Sequence, residues 1–496
     1  MKLNFHHLKR IRLAQIGQTT IFVLAISMNL VLLSANRTLA AEPMQPPAGP
    51  LQVGIESIDI TPSIRTNHPV WLAGYGWGRQ ATGIHDPLRA TSVVFQEGSK
   101  KIAWVTVDVV GLQLPTVKRI RQQLPDFDYV MVSSTHNHEG PDTIGLWGKS
   151  PFHRGVDEAY LESLVDKIVA VTQAAASKAV PVYATFGAAT DPTLVGDSRK
   201  PEVKAATLRV LKFTRVTDPS QNVGLLVVWS CHPEALGSKN TLITADFPAI
   251  TIAVLEKAYN CPVAYFSGEV GGLMAPPADG IRNEQGQPLQ RGNFHYAKQY
   301  GKAVAKLAMR ATKAAEPIQL TPLRISQQSV AIPLQNQLYR TARLVGVLQR
   351  PGVSWTGDFN DANQPLGRLP LKNSLAIATE VACLGLGELK VACVPGEIYP
   401  ELVYGKYQIP VEPNVDYPDA ALERPLKAMM GSSPWMLIGL ANDEIGYIIP
   451  KRQWDQLAPY AYGRQKSQYG EINSCGPEVG PIIMKALQQR IDDLKN

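Results

Sequence analysis

The stretch YVMVSSTHNHEGPD, Tyr129–Asp142, ends an apolar run abruptly at two histidines. Tyr129–Ser133 has the length and apolar content of a buried strand, and His136, His138, Glu139, Pro141 and Asp142 follow it at once. Three more polar groups stand in the same relation to an apolar run. GLLVVWSC (Gly224–Cys231) leads into His232-Pro-Glu234, VAYFS (Val263–Ser267) into Gly268-Glu-Val-Gly271-Gly272, and LKVACVPG (Leu389–Gly396) into Glu397. In open α/β sheets, ligand sites form beyond the carboxyl ends of strands, where side chains from several strands converge. The repeated placement predicts one site assembled from several strand ends.

The residue types point to a divalent metal. Two imidazoles and a carboxylate, with a position left for water, make a common catalytic zinc arrangement. Residues two apart in an extended segment face the same side, so His136 and His138 can enter one pocket. Both can ligate, or one ligates while the other moves a proton or hydrogen-bonds the reacting group. Each piece also has a plain reading: an isolated HxH, a satisfied core histidine before proline, a solvated glutamate after Pro-Gly. Their joint occurrence is what argues for a metal, in a chain with only nine histidines, of which His6 and His7 lie in the leader.

That leader reads as a signal peptide. Lys2, Lys9, Arg10 and Arg12 precede an apolar run, Ile21–Leu33, and Thr-Leu-Ala at 38–40 supplies small residues before a cut near Ala40 or Ala41. The run is shorter than the roughly 20 residues a membrane span needs, so export to the periplasm or the exterior is expected. Of the 49 Lys and Arg, five lie in residues 1–41, which hold no acid; 44 basic then face 42 acidic residues. So balanced a charge, with no basic run interleaved with aromatics, gives no basis for nucleic-acid binding. Cys231, Cys261, Cys383, Cys393 and Cys475 are too scattered for a disulfide framework, although one bridge is compatible with an oxidising compartment.

Along the chain, strand-like runs (Ile102–Val110, Tyr129–Ser133, Thr207–Phe213, Gly224–Ser230, Val263–Phe266) alternate with amphipathic stretches at Glu158–Ala179 and Tyr296–Ala315. This predicts an α/β fold, a layered mixed sheet with flanking helices, its active site at the carboxyl ends of the strands. Residues 348–373 are rich in Pro, Gly and Asn and read as a long loop within one domain over 42–496. Beyond it, Leu375–Leu384 and Leu389–Val394 flank GLGE, a hairpin turn, and Met436–Leu440 reads as another strand. No internal repeat is legible.

Several ordered motifs together resemble the neutral/alkaline (non-lysosomal) ceramidase family. VGIESIDITP (53–62) looks like its opening strand, and GIHDPLRA (83–90) its Gly-Ile-His segment. SSTHNHEGPD (133–142) is similar to its Thr-His-Thr-His-Ser-Gly-Pro motif. CHPEALGS (231–238) with TADFP (244–248), VPGEIYPEL (394–402) and LANDEIGYIIP (440–450) follow in the family's order. The resemblance implies a zinc amidase with the metal on His136, His232, Glu397 and Tyr447, the last of which no strand-end reasoning selects. It also implies His138 as the histidine that assists catalysis, Arg199 of GDSRKP (196–201) as a helper, and Tyr469 as a further catalytic tyrosine, with Tyr460 as its rival.

The chain departs from the family in ways that bear on substrate. Gly271-Gly272-Leu273-Met274-Ala275 puts Met274 where the family has its active-site serine, and a thioether neither attacks as a hydroxyl nor donates a hydrogen bond. Glu139 stands where ceramidases have a small serine, so Gly271, Met274 and Glu139 are the candidate substrate-binding positions. The chain also ends at Asn496, without room for the C-terminal β-sandwich of full ceramidases. The expectation is a secreted Zn2+ hydrolase of an N-acyl bond acting on a lipid or other small acyl substrate, compatible with peripheral membrane contact. The alternatives are a metal hydrolase of a carbohydrate-linked amide, ester or lactone, and an inactive metal-containing binding protein.

Overall fold

One pairing pattern, used three times, generates the two principal sheets of the computed structural model, which describes residues 51–64, 68–366 and 374–495. In its first use Gln52–Asp59, Arg89–Glu97 and Lys100–Val107 pair antiparallel in succession, and Tyr129–Ser134 adds parallel to the third. The second use has Val180–Thr190, Thr207–Arg215 and Asp218–Trp229 antiparallel, with Val263–Ser267 parallel to the third. The two first strands pair antiparallel at Val53 and Val180, which fuses both units into a nine-stranded sheet completed by Glu316–Ile318. The third unit, in the five-stranded sheet, consists of Leu323–Pro333, Leu375–Leu386 and Leu389–Cys393, with Trp435–Ile438 parallel to the last. The repeat is one of topology, carried by hydrophobic patterning rather than residue identity, and for that reason the sequence hides it.

A parallel neighbour needs a crossover. In the first two units a helix supplies it, Leu114–Gln122 and Asp246–Tyr259, and a longer helix follows each parallel strand, Glu158–Ser177 and Phe294–Lys313. Asp157 starts the first of these long helices by accepting from the backbone N–H groups of Ala159 and Tyr160, and Asn293 caps Tyr296 in the second. Both lie flat on the sheet because the first strand beneath each carries a glycine at the crossing. A Cβ on Gly54 would stand 1.9 Å from the Ala175 carbonyl oxygen, and one on Gly187 would stand 2.1 Å from that of Ala311.

The layers follow from which faces are apolar. Val53, Phe95, Trp104, Phe213 and Phe266 of the large sheet share one core with Leu384, Leu386, Met436 and Ile438 of the smaller. Helices cover the far face of the large sheet, and Val479–Asp493 covers that of the smaller. The arrangement is a four-layer α/β/β/α sandwich, the layered mixed α/β class expected. The expected strands and helices lie within a few residues of the observed ones, and Gly387, at φ +53°, turns the GLGE hairpin. Val180–Thr190 and Leu323–Pro333 escape sequence reading because Ala, Thr, Ser and Gln break their apolar runs. The Met436–Leu440 strand stops at Ile438, where Leu440 takes φ +48° and the chain turns toward the site.

All five cysteines are buried and unpaired. Among the described residues no helix is long and apolar enough to cross a membrane. The leader, its expected cleavage site and the 42–50 segment lie outside the described residues, as do 367–373.

Candidate active site

Each unit delivers its polar residues from the carboxyl ends of its parallel pair. The first supplies the Val110 carbonyl after one strand and His136 and His138 after the other; the second supplies His232 and the Gly271–Met274 turn; the third supplies Glu397 and Tyr447. Glu397 and Tyr447 are brought side by side because Glu397–Ile398 and Tyr447–Ile448 form a short parallel ladder with those two residues in register. His136 reaches inward from φ +66°, a conformation that costs a non-glycine residue energy and recurs at functional sites.

The imidazoles of His136 and His232 are fixed from behind. Nδ1 of His136 lies 2.7 Å from the Val110 carbonyl oxygen, and Nδ1 of His232 lies 2.7 Å from that of Met274. A carbonyl only accepts, so both Nδ1 atoms carry hydrogen and both Nε2 atoms face inward. There they meet Glu397 Oε2, at 2.9 Å from His232 and 3.6 Å from His136. Tyr447 hydrogen-bonds the same carboxylate.

This arrangement fits a cation. Neutral Nε2 lone pairs and a carboxylate oxygen repel one another at such distances unless a proton or a metal lies among them. Burial pushes His136 down to about 4, so near neutral pH it is not the source of a proton. His232 is lifted instead, because the hydrogen bond and charge of Glu397 outweigh its burial. Glu397 is held below the usual range: burial raises it, but His136, His232 and Tyr447 prevail. Backbone carbonyls gripping the remote nitrogen of each histidine are the usual support of metal ligands. The donor set suits a borderline divalent ion such as Zn2+.

His138 differs from its neighbours. Its ring lies 4.8 Å from that of His136 and 5.6 Å from that of His232, centroid to centroid, and one nitrogen from each of the three rings falls within 4.8 Å of the others. Among the described residues its buried Nδ1 has no hydrogen-bond partner, and burial, with the two neighbouring imidazoles, holds its pKa well below the ordinary histidine value. Tyr75 packs edge-on against it at 5.0 Å. Only glycine serves at Gly74, where φ is +91° and a Cβ would lie 2.3 Å from the His138 ring.

The cluster lines a cavity of about 680 Å3. Ile144, Leu146, Trp147, Leu348, Ile377 and Ile445 give the same cavity an apolar part of its lining. Polar groups line it as well: Glu234 accepts from the Tyr75 hydroxyl at 3.2 Å and lies 4.0 Å from Arg291.

Of the residues singled out in the sequence, His136, His138, His232, Glu397, Tyr447 and Tyr469 line this cavity; Tyr460 does not. Tyr469, half exposed, stands 6.0 Å from the Tyr447 ring. The other four lie behind the wall. Arg199 is buried on Glu471 at 2.7 Å, with its guanidinium 4.7 Å above the Tyr399 ring. Glu139 turns away to Arg79 at 3.2 Å and Asn240 at 2.9 Å; burial pushes it up to about 8 while those two partners pull the other way. The Met274 side chain is core, and its carbonyl is the group that orients His232. Gly271 allows close backbone approach, since a Cβ there would lie 2.5 Å from the Ile398 carbonyl.

Sequence reasoning passes over Tyr75, Arg79 and Arg291, and gives Glu234 only as a member of the polar group after its strand. Arg79 binds the His138 and Ala73 carbonyls as well as Glu139, tying the 73–79 loop to the histidine loop. The glycine-punctuated GYGWGR (74–79) is the one sign in the sequence of a loop packed tightly on something.

No protein-family model matches the chain. Solved structures that share its fold include two ceramidases. One is the neutral ceramidase from Pseudomonas aeruginosa, at TM-score 0.65 and 16% identity, covering 90% of this chain and 74% of that one. The other is a ceramidase complexed with C2, at TM-score 0.64 and 15% identity, covering 90% and 75%. With a partly apolar cavity lined by a histidine cluster at its strand ends, the chain carries a ceramidase-like fold.

Proposed function

We propose that this protein is an exported, zinc-dependent hydrolase that cleaves the amide bond of an N-acyl substrate. The observation that carries the reading is the convergence of the Nε2 atoms of two imidazoles, each anchored through Nδ1 to a backbone carbonyl, on the Glu397 carboxylate in a cavity with a partly apolar lining. The likeness in fold to ceramidases supports the same class of reaction.

His136, His232 and Glu397 would hold the metal, with Tyr447 bonded to Glu397 at its edge. A zinc ion so bound supplies Lewis acidity, lowering the pKa of a water to about 7 and polarising the acyl carbonyl. His138, whose ring lines the cavity, would take a proton from water and return it to the departing nitrogen. Tyr75, edge-on to that ring, and Arg79, bonded to the His138 carbonyl, keep it aimed. Tyr469 presents a hydroxyl at the cavity wall where a developing oxyanion needs a donor. Arg199 acts at one remove, holding Glu471 and Tyr399 behind the Tyr447–Tyr469 pair.

With Met274 packed in the core, no serine is needed in its place. The apolar lining from Ile144, Leu146, Trp147 and Leu348 favours an aliphatic acyl chain over a carbohydrate. Release of fatty acid from N-acyl substrates of increasing chain length tests the reading. Chelator-sensitive turnover that is restored by Zn2+ and rises with chain length is expected; turnover indifferent to chelation, or confined to acylated sugars, would refute it.

A further inference from the structure

Gln113 stands at the start of the helix Leu114–Gln122, where a side chain ordinarily caps the first turn, yet its amide caps nothing. The residue is 7% exposed and lines the cavity, and among the described residues its amide makes no hydrogen bond. Val110, Leu112 and Leu114 around it are buried, so a leucine at this position would pack without bringing an unpaired polar group. An amide here is accounted for by something that enters the cavity.

A second polar group belongs to the same place. The buried Asp443 accepts on Oδ1 from the Leu114 N–H at 3.0 Å and from the Glu444 N–H at 2.9 Å. Arg350 bonds both oxygens of that carboxylate, and the Thr379 hydroxyl donates to Oδ2 at 2.6 Å. One carboxylate thus fixes the backbone beside Gln113 and the backbone of Glu444 to each other. The Glu444 side chain packs on Gly111, where a Cβ would stand 2.7 Å from that of Glu444, and it too lines the cavity. Its Oε1 accepts from the Gly446 N–H at 2.7 Å, while among the described residues Oε2 has no partner. Both residues share the cavity with Ile144, Leu348 and Ile377.

We propose that Gln113 and Glu444 form a polar subsite that binds a hydroxyl group on the acyl chain of the substrate. The residue types select the group. A hydroxyl accepts from the Gln113 amide and donates to the Glu444 carboxyl, whereas an ammonium would leave the amide's N–H groups unanswered. A plain alkyl chain would displace water from both side chains and leave them unpaired, which is how a site built to hydrogen-bond its substrate rejects an analogue lacking the group. Asp443 and Arg350 act at one remove, as positioning residues. The assignment to an acyl chain rests on the hydrolase reading; the subsite itself does not.

Calorimetric titration of the purified chain with medium-chain fatty acids tests it, because binding of a free acid requires no turnover. The ligands are one unsubstituted acid and the same acid hydroxylated at successive carbons. One of the hydroxylated acids is expected to bind about tenfold or more tighter than the plain acid. Gln113→Leu should remove that preference while binding the plain acid at least as tightly as the wild type does, which also reports that the variant is folded. Glu444→Gln, which keeps an acceptor for the Gly446 N–H, should weaken the preference. With N-acyl substrates the same preference should appear in kcat/KM. A protein that shows it in binding yet turns over no N-acyl compound keeps the subsite and loses the hydrolase reading. Equal binding of the plain and every hydroxylated acid by the wild type overturns the proposal, as does a hydroxyl preference that survives in Gln113→Leu. A stronger preference for an amino group at the favoured carbon overturns it as well.

Discussion

In the cavity, His136 and His232 are buried and each is gripped through Nδ1 by a backbone carbonyl, whereas at the surface Leu338, Leu344 and Phe152 are largely exposed. The difference lies in what positions each region. The first is set by three parallel strand pairs, so its residues inherit the precision of the sheets. The second consists of a short helix, Gln337–Leu344, and a loop, whose side chains can change at little cost to the fold. Mutation should therefore reveal a gradient from one region to the other.

The largest effect belongs to the anchored ligands. His232→Ala or Glu397→Ala should abolish both metal retention and turnover, read by elemental analysis of the purified variant alongside fatty-acid release. His138→Ala should lower turnover by roughly 10²–10⁴-fold yet keep the metal, because its ring has no anchoring carbonyl. The same pairing of assays would break the proposed division if metal went with it. Arg79→Ala removes the donor that serves Glu139 and the Ala73 and His138 carbonyls, and a loss of roughly 1–3 kcal/mol is expected in urea unfolding. On the apolar wall, Leu348→Trp should fill part of the cavity and select against long acyl chains by about 10–200-fold in kcat/KM, with short-chain substrates little changed. At the surface, Leu344→Asp should change stability by no more than about 0.5 kcal/mol.

The cavity end of this gradient is largely legible in the amino-acid sequence. Apolar runs ending in His136, His232 and Glu397 announce strand ends, and strand ends are where α/β sheets build sites. Tyr447 is legible only through family resemblance. A tyrosine before Ile-Ile reads as core, and only the two-residue ladder with Glu397 shows why it belongs to the site. Glu139 and Met274 are the residues whose types suggest contact with substrate, and the structure puts both behind the wall. Sequence position fixes neighbours along the chain but not the direction in which a side chain leaves a turn. Glu139 has Arg79 to satisfy it, sixty residues distant, and Met274 contributes through its carbonyl, which no residue identity reveals. The threefold strand pattern is hidden for a related reason: pairing is a property of backbones.

The central claim is that the two HxH histidines do different work, His136 with His232 and Glu397 holding a metal while His138 moves protons. Zinc content of the wild type, His136→Ala and His138→Ala, measured after identical purification and dialysis, tests it most directly. The account predicts stoichiometric zinc in the wild type and in His138→Ala, and none in His136→Ala. Loss of zinc from His138→Ala, or its retention in His136→Ala, would contradict it.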